Sequence, residues 1–288
     1  MRASIPGGGR LEGAVVALDG RVLLVGGFDR ELAIVASVDA YDPATDAWTA
    51  LPDLPVALTH ANAVAAGGAL YVLGGLEGVD FAGSAAALKY EPTTNTWTRL
   101  ADLPAGDERG ASGVAARDDG HLVIAGGSSG ETTLATVLEY DVAGDAWTTL
   151  APLPSPRSHP VAATVGGTLY VVGGLSQVDG TDPLDETLAL GADGAWVARA
   201  PMPTARGGCA SGVLAGRFVC AGGETADDVV AATEAYDPAS DTWTTLAPML
   251  TPRAGAYGAV VADGLHVPGG ARVLLYIPSA VHEVLTWP

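Results

Sequence analysis

The sequence predicts an all-β fold, a six-bladed β-propeller with four-stranded blades. Two repeating features carry this prediction. A pair of glycines follows a short apolar run six times, with first members Gly26, Gly74, Gly126, Gly173, Gly222 and Gly269. The tryptophans keep nearly the same period, at Trp48, Trp97, Trp147, Trp196, Trp243 and Trp287. Such periods indicate supersecondary units that bury their apolar faces against each other, so we assign residues 1–288 to one domain.

Each period reads as four short strands, called a to d. Strand a is small and apolar, as in residues 161–165, and strand b is a continuous apolar run such as RVLLV. An uninterrupted apolar run is typical of a strand buried on both faces. Strand c ends in Tyr in most repeats, and strand d carries the Trp. The linking segment, YDPATDAW in the first repeat, contains aspartates that we expect to bond their own turn backbone.

These residues resemble the repeat of the kelch family. The shared features are the double Gly after strand b, Tyr-Asp-Pro after strand c and the Trp of strand d, and together they cover essentially the whole chain. The resemblance implies a six-bladed propeller. It does not imply one activity, because kelch propellers include adaptors, scaffolds and a few enzymes.

Closure of the ring allows two interpretations. In the first, residues 282–288 supply strand c of the last blade, and the N-terminal segment at residues 2–6 supplies its strand d. In the second, Trp287 belongs to a strand d of its own and the last blade closes by itself. We favour the first, since it ties both ends of the chain together.

Composition excludes several classes of function. The 288 residues carry a net charge of −19 and are 48% hydrophobic, which excludes a disordered chain and disfavours nucleic acid and anionic membranes. The sequence shows no signal peptide and no membrane-spanning run, so we expect a cytoplasmic monomer. Cys209 and Cys220 lie on adjacent strands of the fifth repeat, and we expect two buried thiols there.

One end of the ring is the candidate site. The loops from strand b to strand c vary between repeats, and they share this end with the starts of strands a; we call it the b–c loop face. Sixteen or seventeen residues before most Gly pairs stands an arginine: Arg10, Arg109, Arg157, Arg206 and Arg253. Arg suits a carboxylate or phosphate ligand. The alternative is a structural role, with the guanidinium bonding backbone carbonyls between blades.

Further along strand a we predict ligand contacts from His60, His159, Asn62 and Tyr257. Incidental histidines are the alternative, and we expect Glu12 to pair with Arg10. A shared metal would need a third ligand that the sequence does not identify, so no metal or cofactor is predicted. Acidic loop residues such as Asp29, Asp179 and Asp228 are either solvated tips or a rim around the site.

The leading functional prediction is a binding propeller that holds a small anionic molecule or a partner peptide on the b–c loop face. No catalytic motif is present, so an enzymatic role is left open. The resemblance also implies an alternative, a kelch enzyme acting on a small acidic or sugar substrate. Such an enzyme is similar in build to a sialic-acid mutarotase, with Glu12, His60 or His159 moving the proton. A ring with no ligand is the third possibility.

Overall fold

A computed structural model describes residues 1–178, 182–274 and 277–287. In these residues six antiparallel sheets form the blades and follow one another along the chain, five with four strands and the last with three, and a small two-stranded sheet lies beside the third. The fold is the predicted all-β six-bladed propeller. Within the described residues, the one helical element is a 3-10 turn at Pro6–Gly8, and no helix is long and apolar enough to cross a membrane.

The strands of the first three blades follow the predicted order. Blade 1 contains β1 (Ala14–Leu18), β2 (Arg21–Val25), β3 (Val38–Asp42) and β4 (Ala47–Leu51). Blade 2 contains β5 (Ala63–Ala66), β6 (Ala69–Glu77), β7 (Ala82–Glu91) and β8 (Thr96–Arg99). Blade 3 contains β9 (Gly113–Ala116), β10 (His121–Ala125), the small hairpin β11 (Ser128–Ser129) and β12 (Thr132–Thr133), then β13 (Val137–Asp141) and β14 (Ala146–Leu150).

The remaining blades repeat the pattern. Blade 4 contains β15 (Val161–Val165), β16 (Thr168–Val172), β17 (Thr187–Leu190) and β18 (Trp196–Arg199). Blade 5 contains β19 (Ala210–Leu214), β20 (Arg217–Ala221), β21 (Thr233–Asp237) and β22 (Thr242–Thr245). Blade 6 contains β23 (Ala259–Val261), β24 (Gly264–Pro268) and β25 (His282–Thr286).

The Tyr and Trp of a repeat form one inter-blade latch. In blade 3 the rings of Tyr140 and Trp147 lie 4.9 Å apart, and the Trp147 indole N–H donates to the carbonyl of Ala101 in blade 2 at 2.9 Å. Asp145 accepts the Tyr140 hydroxyl and also the backbone N–H of Ala101. The prediction that this aspartate bonds its own turn is therefore wrong, whereas Asp141 does accept from the turn N–H of Ala143.

The first strand of every blade lines the central channel. A cavity of about 360 Å³ lies between these strands, and its walls are mostly Ala, Val and Gly with Ser112, Ser211 and Tyr257. Small side chains are needed there because six strands converge on one axis. The apolar cores lie between blades: the side chains of β2 pack against those of blade 2 on one side and blade 6 on the other.

The N-terminal segment lies against the last blade. The backbone N–H groups of Arg2 and Ile5 donate to the carbonyls of His282 and Ala280 at 3.0 and 3.2 Å. Residues 2–5 do not form a regular strand, so the sheet of blade 6 has three strands. Strand c of that blade is β25, as the first of the two interpretations requires, and the fourth strand remains a prediction.

The two cysteines differ from expectation. Cys209, directly before β19, and Cys220 in β20 form a disulfide, with their Cα atoms 5.7 Å apart. The prediction of free thiols is wrong, because the register places Cys220 opposite Ser211, which makes Cys209 its diagonal neighbour on the same face of the sheet. No further cysteine is present.

Candidate functional site at the channel mouth

The five predicted arginines occupy equivalent buried positions, each at most 6% exposed. The Arg10 guanidinium donates to the carbonyl of Gly26 at 2.8 Å and pairs with Asp39 at 3.1 Å. The others do the same within their own blades, each with backbone carbonyls and one carboxylate: Arg109 with Asp107, Arg157 with Glu186, Arg206 with Glu234, and Arg253 with Glu283. This geometry supports the structural alternative, within blades rather than between them. Ligand binding by these arginines stays a prediction.

The backbone at the arginine position makes the connection between blades. The N–H of Gly127 donates to the carbonyl of Arg157 in the next blade at 2.8 Å, and Gly174 does the same to Arg206 at 3.0 Å. A Cβ on Gly127 would lie 2.5 Å from the carbonyl oxygen of Gly110, so the second glycine of the pair permits this approach.

Asn62 also joins two blades. Its side-chain amide donates to the carbonyls of Leu73 and Arg109, and its oxygen accepts from the backbone N–H of Ser112. Asn62 is 1% exposed, so its polar atoms are already used inside the protein. Its predicted ligand contact remains a prediction.

A chain of five backbone hydrogen bonds runs around the axis two residues after the arginine position. We call its six residues the collar: Glu12, His60, Ala111, His159, Gly208 and Gly255. Their φ angles lie between 50° and 60°. Inter-blade N–H to carbonyl bonds of 2.8 to 3.0 Å join them in order from Gly255 through Glu12, His60, Ala111 and His159 to Gly208. Glycine adopts this conformation freely, whereas other residues accept a cost of about 1–3 kcal/mol each.

Three collar side chains converge. One potential ligand atom each from Glu12, His60 and His159 lies within 4.8 Å of the other two, and His60 Nε2 lies 3.5 Å from Glu12 Oε2. Glu12 and His60 are buried and His159 is half-buried. The expected pairing of Glu12 with Arg10 is wrong, because Arg10 turns to Asp39 within its own blade.

Burial controls the electrostatics of this cluster. It raises the pKa of Glu12 to about 8, with a further contribution from the carboxylate of Glu224. Burial also lowers the pKa of His159 to about 4 and that of His60 well below its ordinary value. The pKa of Tyr257 is raised well above its ordinary value by burial and by the neighbouring Glu12. The uncharged forms are therefore favoured.

The b–c loops around the mouth carry exposed apolar side chains. Among the described residues, we call seven of them the apolar rim: Leu32, Val79, Phe81, Val178, Val273, Leu274 and Ile277. Val79 is 98% exposed and Ile277 61%. Phe81 joins the rim to the collar, since its ring lies 6.1 Å from that of His60 in an edge-on arrangement.

Acidic groups accompany the rim. The exposed or half-exposed carboxylates of these loops include Asp29, Glu31, Asp80, Glu131, Asp182, Asp185, Asp227 and Asp228. Two basic residues, Arg30 and Arg272, share the described loops with them. The predicted Asp179 lies outside the described residues. The face is thus apolar and negatively charged.

Of the predicted site residues, the structure brings His60, His159 and Tyr257 together at the mouth and places Asn62 and the arginines in the blade seams. Sequence reasoning missed Glu12 as the partner of the histidines and missed the apolar rim. Glu12, His60 and His159 hold the same position in their repeats, and that equivalence was the available signal.

Comparison with known proteins identifies relatives along the chain. Residues 3–174 and 62–270 match the family described as the KLHDC2/KLHL20/DRC7 Kelch-repeats domain. Kelch-like protein terF of Aspergillus terreus is 32% identical over 92% of this chain and 61% of its own length. Mouse Kelch-like protein 35 is 30% identical over 86% of the chain and 41% of its own length, so the chain spans only part of these relatives. The solved "Structure of YjhT" superposes with a TM-score of 0.82 at 16% identity over 99% of this chain and 96% of its own, a likeness of fold.

Proposed function

The chain belongs to the kelch-repeat family, and from that premise we propose that it is a binding propeller whose b–c loop face docks a basic partner peptide with apolar anchor residues. The carrying observation is the apolar rim. Exposed apolar side chains that cluster on one face mark interaction surfaces, whereas isolated ones need no explanation. Seven of them lie on the b–c loops of four blades, at one end of the ring.

The charge of the face selects the partner's chemistry. Its loop carboxylates outnumber the two basic residues, so a partner with Lys and Arg side chains is complementary and an acidic one is repelled. The small anionic ligand that the sequence also predicts has less support. It would have to compete with the carboxylates that already hold the buried guanidiniums.

Panning a phage-displayed peptide library on the purified protein tests the proposal. We expect enrichment of peptides that combine basic and apolar residues, with binding that weakens as salt increases. Val79→Lys and Ile277→Lys should each weaken a selected peptide by about tenfold or more, because they remove an anchor contact and add like charge. Val197→Lys is the matched control, since Val197 is 42% exposed in β18, outside the b–c loops.

Two results would overturn this proposal. One is that no peptide is enriched, or that enriched peptides bind the rim variants as well as the wild type. The other is a sugar acid, phosphate or dicarboxylate that raises the melting temperature while no peptide binds, which would favour the anionic ligand.

An enzymatic role is the second candidate, favoured by the convergence of Glu12, His60 and Tyr257 at the mouth. It predicts turnover of a small acidic or sugar substrate that is lost in Glu12→Gln while the rim variants keep full activity. The docking proposal predicts instead that the rim variants weaken peptide binding and that Glu12→Gln leaves it unchanged. The same set of variants therefore separates the two functions.

A further inference from the structure

The collar holds three side chains of metal-ligating type in one place. Each comes from a different blade and from the same repeat position: Glu12 from blade 1, His60 from blade 2 and His159 from blade 4. Backbone hydrogen bonds hold their Cα atoms in place, because Glu12, His60 and His159 are each bonded to the collar residues of both neighbouring blades. Gly255 leaves room for the Glu12 carboxylate, since a Cβ on it would lie 2.1 Å from Glu12 Oε1.

The distances suit a small cation. Ligand atoms at 2.0–2.1 Å from a tetrahedral Zn²⁺ lie about 3.4 Å apart. His60 Nε2 and Glu12 Oε2 are 3.5 Å apart, and the whole set lies within 4.8 Å. Bringing the most separated ligand atoms from 4.8 Å to about 3.4 Å requires each to shift by about 1 Å.

The second nitrogen of each ring already has a partner. Thr59 Oγ1 lies 3.1 Å from His60 Nδ1, and Ser158 Oγ lies 3.2 Å from His159 Nδ1. When Nδ1–H donates to a hydroxyl, the ring is oriented and Nε2 is left with its lone pair. This second contact is what zinc-bound histidines normally make.

The carboxylate supplies an independent indication. Glu12 Oε2 is buried and has no hydrogen-bond partner among the described residues, although Glu12 is only 5% exposed. Buried polar atoms without partners are rare in folded proteins and call for a missing ion or water. An acceptor of this kind, facing two imidazoles, is suited to a cation.

We propose that Glu12, His60 and His159 form a three-ligand Zn²⁺ site at the channel mouth. Two imidazoles and one carboxylate favour a transition metal of zinc type over Mg²⁺ or Ca²⁺, which prefer all-oxygen sites. Three protein ligands leave the fourth position to water or to a bound group. The site is independent of the apolar rim and does not require the docking proposal.

Isothermal titration of the chelator-treated, tag-free protein with Zn²⁺ tests the site. We expect one tight site per chain that excess Mg²⁺ does not displace. His60→Ala, His159→Ala and Glu12→Gln should each weaken the affinity at least about 100-fold. Ala is a suitable replacement because Ala111 already occupies an equivalent collar position with the same backbone conformation. His121→Ala is the matched control, since His121 starts β10 at the opposite end of the strand and should leave Zn²⁺ binding unchanged.

X-ray absorption of the zinc-loaded wild type is a second measurement that needs no variant. It should show two imidazoles and oxygen ligands around the metal, with Zn–N distances of about 2.0–2.1 Å. The proposal is overturned if the wild type shows no tight site, if the three variants bind as the wild type does, or if the bound metal has only oxygen ligands, as it would on surface carboxylates.

Discussion

At the residue scale, the five buried arginines show how a charged side chain can stabilise the fold from inside a blade. Each guanidinium donates hydrogen bonds to carbonyls at the end of strand b and pairs with one carboxylate of its own blade. The arginine therefore holds the chain in place where it leaves the sheet at the Gly pair. Where blade 2 has Leu58 instead, Asn62 bridges to blade 3 through its amide. Buried backbone carbonyls near the Gly pair thus need hydrogen-bond donors, and different residue types supply them in different blades.

Removing one partner of such a pair should be costly. Arg206 and Glu234 are 0% and 3% exposed in their side chains and lie 2.6 Å apart. Arg206→Ala leaves a buried carboxylate without its cation, and we expect a loss of about 3–5 kcal/mol in the free energy of unfolding. Urea denaturation measures it, and Arg206→Met with Glu234→Leu should lose less than the sum of the two single variants.

The exposed pair of Arg99 and Asp102 provides the control, since its side chains are 61% and 47% exposed. Arg99→Ala should change the free energy of unfolding by less than about 1 kcal/mol. Equal losses at the buried and the exposed pair would contradict the structural role of the guanidinium.

At the scale of elements, the disulfide that joins Cys209, directly before β19, to Cys220 in β20 should be detectable directly. The intact mass of the non-reduced protein should be lower than that of the reduced protein by two hydrogens. Because the bridge closes a short loop, with a sequence separation of 11, reduction should lower the free energy of unfolding by about 2–3 kcal/mol. Full alkylation of both cysteines in the folded, non-reduced protein would contradict the bridge.

The strands of blade 6 contain a buried pair of histidines. His266 Nδ1 and His282 Nε2 lie 3.0 Å apart, and the His282 ring packs against Tyr41 and Trp48 of blade 1. Burial lowers the pKa of His266 to about 4 and that of His282 to about 3. Arg2 and Arg253 also face His282 and lower its pKa, whereas Asp46 opposes them.

This pair predicts acid sensitivity of the seam between the last and first blades. The unfolded histidines, with a pKa near 6.5, bind more protons than the folded ones, so stability is full above that pH and falls as pH decreases toward 4. The two histidines titrate as a coupled pair, and together they should account for a loss on the order of a few kcal/mol. Denaturation curves at several pH values measure the slope, and His282→Phe should reduce it. His121→Phe is the control, because His121 is more exposed and should leave the slope unchanged. If His282→Phe also leaves the slope unchanged, the buried pair is not the source of the acid sensitivity.

At the scale of the whole molecule, the sequence was sufficient for the fold because the repeat marks every blade. The Gly pairs, the Tyr and the Trp each satisfy a contact that recurs around the ring, so their period is the period of the structure. The site was less predictable. Glu12, His60 and His159 are far apart in sequence, and only the ring brings them together. The pairing of Glu12 could not be read locally, because Arg10 two residues away is held by Asp39 from another strand.

The N-terminal segment should control the stability of the entire ring. Ile5 is 3% exposed and packs with residues of blades 1 and 6, and the Trp48 indole donates to the carbonyl of Ala3 as Trp147 does to that of Ala101. A variant that lacks residues 2–5 would lose these contacts together with the hydrogen bonds to blade 6.

Since neighbouring blades stabilise each other, we expect that deletion to lower the free energy of unfolding by several kcal/mol and to leave a single transition, because an opened seam weakens all blades in turn. Urea denaturation followed by tryptophan fluorescence samples every blade, as each repeat has one Trp. Leu250→Ala is the control, because Leu250 is 79% exposed. If the deletion variant unfolds at the wild-type urea concentration, the N-terminal segment does not hold the ring closed, and the three strands of blade 6 are sufficient by themselves.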